Sequence, residues 1–199
     1  MTGFHTVKYI VAIALLIIFP LTSGANATAD DAEKFIKNIS SKAISVIQSE
    51  KSSEIEKEMA LVSLFEQSVD TQWIAKFAMG RHWNRASDHQ KELYTDLYKK
   101  FLIGSYVPKF KEYTNQKIII KKTYDEGDKE YLIETEILQH DGAAINVDYK
   151  VREGAGGKYV IFDVIAEGVS LITTQRSEFG SILSRKGVDY LIKKLKARV

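Results

Sequence analysis

The sequence has 199 residues, of which 45% are apolar, 27% charged and 11% aromatic, enough to bury one hydrophobic core of ordinary size and too apolar for a disordered chain. Two Pro, twelve Gly and no low-complexity tract exclude collagen-like and mucin-like chains, and no repeat with a period of roughly 20 to 50 residues marks a solenoid. Cys is absent, which removes disulfides, thiolate metal sites and cysteine nucleophiles, and a formal charge of +2 gives little field for steering nucleic acid.

Lys8 precedes an apolar run from Tyr9 to Phe19, then Pro20 and the small residues Ser23, Gly24, Ala25, Asn26 and Ala27. Ala25-Asn26-Ala27 has A-x-A cleavage spacing, so residues 1–27 read as a secretory signal peptide. The rival reading is a retained anchor, but the run reaches only about 16 Å as helix against a hydrocarbon core of about 30 Å. Cleavage removes one charged residue, Lys8, and leaves 28–199 at a formal charge of +1. No later segment is long and apolar enough to span a bilayer as a helix.

From Asp31 to Glu50, Phe35, Ile36, Ile39, Ala43, Val46 and Ile47 recur at helical spacing, with Asp30 or Asp31 as the expected cap. Ser53 and Glu56 have capping-box spacing ahead of a second stripe, Ile55, Met59, Val62, Phe65 and Val69. Asp70 or Thr71 opens a short helix carrying Trp73, Ile74 and Phe77, which Gly80 ends. Ser87 and Gln90 repeat the capping-box pattern before a long helix with Leu93, Tyr94, Leu97, Phe101, Leu102, Ser105 and Tyr106 inward, and Pro108 is expected to kink or break it. Phe110 and Tyr113 lie beyond that point.

After Asn115 the period changes from about 3.6 to 2. Alternating runs cover Lys117 to Tyr124, Glu130 to Leu138, Ala143 to Arg152 and Lys158 to Ala166, separated by turns short enough for hairpins. In the third run Ile145, Val147, Tyr149 and Val151 oppose Asn146, Asp148, Lys150 and Arg152, which predicts one buried face and one wet face. The fourth is apolar on both sides, with Val160, Phe162 and Val164 opposite Tyr159, Ile161 and Ile165, and is expected to lie centrally. Helical spacing returns with Leu171, Phe179, Ile182 and Leu183, then with Val188, Leu191, Ile192 and Leu195. The expectation is an α+β domain over 28–199: a helical part, 28–114; a curved, four-stranded antiparallel meander, 115–167; and C-terminal helices, 168–199. Helices over one face of such a sheet leave a cavity if the facing side chains do not fill it.

Searches for reactive groups return little. His82, His89 and His140 have no metal-ligand spacing. Gly168-Val169-Ser170 lacks the glycine a nucleophile elbow requires where Ile172 stands, and Gly154, Gly156 and Gly157 fit a hairpin turn better than a phosphate loop. Asp163 within an apolar strand and Glu167 just beyond it admit an isomerase-like acid/base pair or, alternatively, a hydrogen-bonded packing role. Arg185, Lys186, Lys193, Lys194, Lys196 and Arg198, with Asp189 the only acid among them, make the C-terminal helix either a solvated face or a surface for an anionic partner.

The run from Ile165 through Thr174, continuing with Glu178, Phe179-Gly180, Leu183, Lys186-Gly187 and Leu191, closely resembles the C-terminal signature of the periplasmic phospholipid-binding proteins of the maintenance-of-lipid-asymmetry system, also called the toluene-tolerance family. Met79-Gly80-Arg81-His82-Trp83, Ala86-Ser87 with Gln90, and Phe101-Leu102 with Tyr106 resemble the family's G-x-x-W/Y turn and long helix. His82-Trp83 stands where relatives often have two tyrosines, and Val151 where an aromatic is common. The resemblance implies an NTF2-like fold enclosing an apolar cavity, no metal, no cofactor and no bond chemistry. It also implies a periplasmic, monomeric carrier of glycerophospholipid between an outer-membrane lipoprotein–porin complex and an inner-membrane ABC transporter with a lipid-binding hexamer. Some relatives accompany hopanoid or other envelope lipid pathways, an alternative that stays open. The acyl tails are expected between the buried sheet face and the helices, lined by Ile145, Val147, Tyr149, Phe162, Val164 and Val169 with Trp83, Tyr106 and Phe110. An ordinary filled core is the competing reading for each of these residues.

Overall fold

The computed structural model describes residues 28–110, without the side chain of Phe110, together with 117–139 and 142–199. The expected signal peptide, Tyr113, the helix-to-strand boundary at Asn115 and His140 lie outside the described residues.

Helix α1 (Ala29–Ile47) is capped by Thr28, whose hydroxyl accepts from the Asp31 amide at 3.2 Å. Asp30 and Asp31, the expected caps, instead occupy its first turn, where the positive end of the helix dipole favours carboxylates. In α2 (Glu54–Ser68) the Ser53/Glu56 capping box forms as predicted. The predicted α2 stripe holds only in its second half, where Phe65 and Val69 pack on the helical core; Ile55 and Met59 are 74% and 68% exposed, while Leu61 and Ser68 are buried. Ser68 tolerates burial because its hydroxyl donates to the Leu64 carbonyl at 2.6 Å.

Helix α3 (Thr71–Met79) is capped by Asp70, which accepts from the Trp73 amide at 3.0 Å, and ends at Gly80 with φ +56°. A 3₁₀ turn (Gly80–Arg85) leads into α4 (Asp88–Phe110), whose start carries the reciprocal Ser87/Gln90 bonds. The helix continues past Pro108 to Phe110, so the proline does not break it there, although it supplies no N–H to the preceding turn. Helices α3 and α4 pack with α5 (Leu171–Lys186) and α6 (Val188–Lys196) into the larger core, centred on Tyr94, Tyr98, Phe179, Leu191 and Leu195. Tyr94 and Tyr98 stack at 5.6 Å, Phe179 meets Tyr98 edge-on at 5.6 Å, and the Tyr94 hydroxyl donates to the Ala75 carbonyl.

The antiparallel meander runs β1 (Lys117–Gly127), β2 (Glu130–Leu138), β3 (Ala144–Glu153), β4 (Tyr159–Ala166), and a fifth, two-residue strand β5 (Val169–Ser170) follows β4. Strand β1 runs beyond its predicted end at Tyr124 to Gly127, and Asp128 and Lys129, both at positive φ, make the hairpin. Strand β4 does not lie centrally. It stands next to the edge, where β5 and the α2–α3 junction cover it: Asp70 donates its amide to the Ile161 carbonyl, and Val69 bridges Ile161. Burial on both faces therefore comes from the helices rather than from flanking strands.

Nor does β4 alternate as expected. Ile161 pairs with Val151 and Asp163 with Lys150, so Phe162 is an extra residue in a bulge. Beyond it the face changes: Ile161 and Val164 share the side of Val151 and Tyr149, while Phe162 turns to the opposite side, against Trp73 at 5.3 Å.

Candidate functional site

The register assembles one apolar face. Tyr131 lies opposite Val151, Ile133 opposite Tyr149 and Ile137 opposite Ile145; Tyr149 in turn faces Val164, and Ile118 of β1 faces Ile137. Side chains directly opposite in an antiparallel pair stand on the same side, so these residues form one continuous surface. The other side mixes Ile119, Leu132 and Leu138 with a majority of polar residues and is tied by ion pairs, Lys121 to Glu136 at 3.0 Å and Lys150 to Glu126 at 2.7 Å.

Among the described residues the apolar face is fully covered at one end, whereas toward the other the burial loosens on β3 and β4 while Thr135 and Ile137 of β2 stay buried. Helix α1 lies across it with Ala32 and Ile36 inward, sealing Tyr131, Ile133, Val151 and Ile161 into the second core. Toward the other end Tyr149, Val147, Ile145 and Val164 are half-buried, and Val169, paired with Ala166, is 55% exposed. The change occurs where the β2–β3 ladder is irregular. Thr135 donates its hydroxyl to the Val147 carbonyl and its amide to Asp148 Oδ1 at 3.2 Å, so side-chain bonds stand in for part of the backbone ladder. Burial holds the Asp148 carboxyl above its ordinary range. Thr135 is 1% exposed, yet its polar atom is satisfied within the sheet.

The residues expected to line a pocket divide into groups. Ile145, Val147, Tyr149 and Val164 stand on the apolar face, with Val169 at its open edge. Phe162 lies on the reverse side, under the Arg152 guanidinium, which sits 4.5 Å from Trp73 and 5.4 Å from Phe162 and pairs with Asp70 at 2.6 Å. Trp83 and Tyr106 pack on the helical core, where the Tyr106 hydroxyl accepts from Gln175 Nε2 and Gln175 Oε1 accepts from Tyr98. Burial raises both phenols above their ordinary range. The side chain of Phe110 lies outside the described residues. The expected lining omits Ile118, Ile120, Ile133 and Ile137 of the same face, whose signal is strand alternation, and does not join to it Phe35 and Ile39 of the first helical stripe.

The two carboxylates considered for acid/base chemistry have structural occupations. Asp163 accepts from Ser170 Oγ at 2.6 Å and from the Ile172 amide at 3.3 Å, anchoring the start of α5 to β4. Glu167, at φ +48° in the β4–β5 turn, accepts from the Asn146 amide at 2.6 Å and donates its own amide to the Asn146 carbonyl. The end of α3 is likewise locked to α5: Arg176 donates to the Phe77 carbonyl at 3.2 Å and its guanidinium lies over the Phe77 ring.

The family model described as MlaC protein matches residues 37–197. The intermembrane phospholipid transport system binding protein MlaC of Haemophilus influenzae is 27% identical over 130 residues, 64% of this chain and 61% of that protein. The toluene tolerance protein ttg2D of Pseudomonas putida is 26% identical over 122 residues, 61% of this chain and 56% of that protein. The matched part thus spans less than two thirds of the length of these relatives. A solved structure of the phospholipid-binding protein from Ralstonia solanacearum in complex with a phospholipid shares the fold, with a TM-score of 0.73 at 22% identity over 84% of this chain and 96% of that one.

Proposed function

The chain belongs to the MlaC family, and from that premise we propose that it is a periplasmic phospholipid carrier whose acyl-chain site is the half-open apolar face of the sheet. The observation that carries this reading is the gradient along that face, from Val151 at 0% exposure under α1 to half-buried Val147 and Ile145 and exposed Val169. The loosening lies on β3, β4 and β5 while Ile137 of β2 stays buried, and tails laid over Ile145, Val147, Val164 and Val169 complete their burial.

Two acyl chains of about 30 methylenes, at about 0.8 kcal/mol each, cost on the order of 20 kcal/mol to expose to water. A carrier therefore has to cover the tails and can leave the head group near solvent. The same tails are dry in a bilayer or in a partner's pocket, so handover has a small net free energy and the carrier needs no energy source of its own. An inner-membrane ABC transporter with a lipid-binding hexamer at one end and an outer-membrane lipoprotein–porin complex at the other would set the direction and maintain outer-membrane asymmetry. Export through cleavage after Ala27 would bring the chain to that compartment. No reaction is assigned to Asp163 or Glu167.

The test is extraction and mass spectrometry of the protein purified gently from the periplasm. Near-stoichiometric glycerophospholipid is expected. An isoprenoid cargo such as a hopanoid would move the protein to another lipid pathway, and no lipid, with none acquired from vesicles, would contradict the reading.

A further inference from the structure

Cations gather at one end of the molecule. Arg185, Lys186, Lys193, Lys194, Lys196 and Arg198 are all exposed, and Asp189 is the only acid within that stretch. Arg185 and Lys186 in the last turn of α5 and Lys193, Lys194 and Lys196 in that of α6 suit the helix dipoles, and Arg198 follows just beyond. That accounts for some of them, but not for the surface beneath. Among the described residues Arg185, Lys186, Lys193, Lys194 and Lys196 form no ion pair, and Arg198 reaches Glu178 only at 3.9 Å.

Beneath these cations, α5 and α6 leave a hollow of about 170 Å³. Phe179, Ile182, Leu191 and Leu195 line its apolar part, and Lys194, Arg198 and Glu178 its polar part. Small-molecule sites begin at about 300 Å³, so the hollow is too small for a phospholipid and has room for one branched or aromatic side chain. Arg198 rests 5.7 Å from the Phe101 ring and Lys194 the same distance from Tyr190, which keeps their aliphatic stems along apolar surface and their charges at the rim. A flat anionic membrane would engage the charges and leave the recess unused. A peptide that is acidic and carries a large apolar side chain uses both.

We propose that the α5–α6 end is a docking site for an acidic segment of a partner protein, which seats one large apolar side chain in the hollow and sets carboxylates against Lys194 and Arg198. This site lies on different elements from the apolar sheet face, and its occupancy does not depend on which lipid is carried. Charge complementarity of this kind speeds encounter and fixes orientation, and the buried side chain sets residence time.

A random peptide library selected on the whole exported protein, with counter-selection on the Lys194→Glu/Arg198→Glu variant, tests the proposal. Enriched peptides should share one Leu, Ile, Phe or Trp flanked by Asp or Glu. Their affinity should fall about tenfold or more in the charge-reversed variant and likewise in Ile182→Trp, which fills the hollow. Urea denaturation checks that both variants fold; the charge-reversed one changes only exposed side chains. No enrichment over the variant, or a consensus without acids, would overturn the proposal. So would binding to phosphatidylglycerol vesicles that survives Ile182→Trp and that no enriched peptide displaces. The chain carries an acidic apolar segment itself, Ile55 and Met59 on α2 among Glu54, Glu56 and Glu58. Self-association in sedimentation that is abolished by charge reversal would therefore assign the hollow to a second copy and overturn it as well.

Discussion

Val147 and Val151 lie two positions apart on one face of one strand, and the carrier reading separates them sharply. Val151 is fully buried. Its substitution by Ala forfeits about 1.6 kcal/mol of transfer free energy for two carbons, and the cavity raises the loss to about 2–3 kcal/mol. At half-buried Val147 the same change should cost about 1 kcal/mol. Arginine widens the gap. Val151→Arg places an unpaired charge beneath α1 at a cost above about 4 kcal/mol, enough to prevent stable folding. Val147→Arg can extend its guanidinium past Val169, which is 55% exposed, and should cost no more than about 1–2 kcal/mol. Urea denaturation of delipidated protein measures the stabilities, and lipid extraction from the same preparations measures cargo. Val147→Arg should remain folded and lose most of its phospholipid. If it unfolds as completely as Val151→Arg, the face is ordinary packed core and the reasoning fails.

Asp163→Ala should lose about 3 kcal/mol in urea denaturation, because the buried Ile172 amide and the Ser170 hydroxyl lose a carboxylate acceptor at the start of α5; Asp163→Asn should recover part of this, and wild-type stability in the Ala variant would remove the anchoring role. Burial, with Tyr131 beside it, raises the Tyr159 phenol to about 12. The unfolded chain ionises near 10, so the contribution is complete below pH 10 and disappears as pH rises toward 12. Tyr159→Phe should lose about 1 kcal/mol at neutral pH with the bond to the Thr28 carbonyl, and should then decline less steeply in alkaline thermal melts; an unchanged slope would contradict the assignment. Gly80→Ala should cost about 1–3 kcal/mol, since the residue adopts φ +56° and an added Cβ would meet the Arg176 guanidinium at 3.3 Å; a thermal midpoint equal to wild type would count against that account.

Much of this fold was legible because its signals are local. The Ser53/Glu56 and Ser87/Gln90 boxes, the Asp70 cap and the terminating Gly80 each follow from hydrogen-bond demands within a few residues, and strand alternation places Ile145, Val147 and Tyr149 together. Non-local features escaped. One inserted residue, Phe162, reverses the remainder of β4, so alternation assigns Phe162 to the wrong side relative to Val164. The inward face of α2 depends on what stands opposite it: Phe65 packs on the helical core and a serine able to bond its own helix faces inward, while Ile55 and Met59 of the same stripe face out.

The same distinction governs the site. Sequence pattern offers no way to separate Trp83 and Tyr106 from the sheet residues, but both pack on the helical core, Trp83 from the 3₁₀ turn and Tyr106 from α4 with its hydroxyl bonded to Gln175 of α5. Conversely, Ile118, Ile120 and Ile137 belong to the apolar face only through the β1–β2 and β2–β3 register. Asp163 stands out in sequence as an acid among apolar neighbours. Its reason is the α5 amide it receives, a partner nine residues away that becomes visible only once β4 and α5 are packed.

The most direct measurement is nuclear Overhauser contact between acyl-chain protons of bound phospholipid and selectively labelled Ile and Val methyl groups. The account predicts contacts to Ile145, Val147 and Val164 and none to Leu183 or Leu191 of the helical core. Contacts confined to the helical core, with the sheet methyls unaffected by lipid, would contradict it.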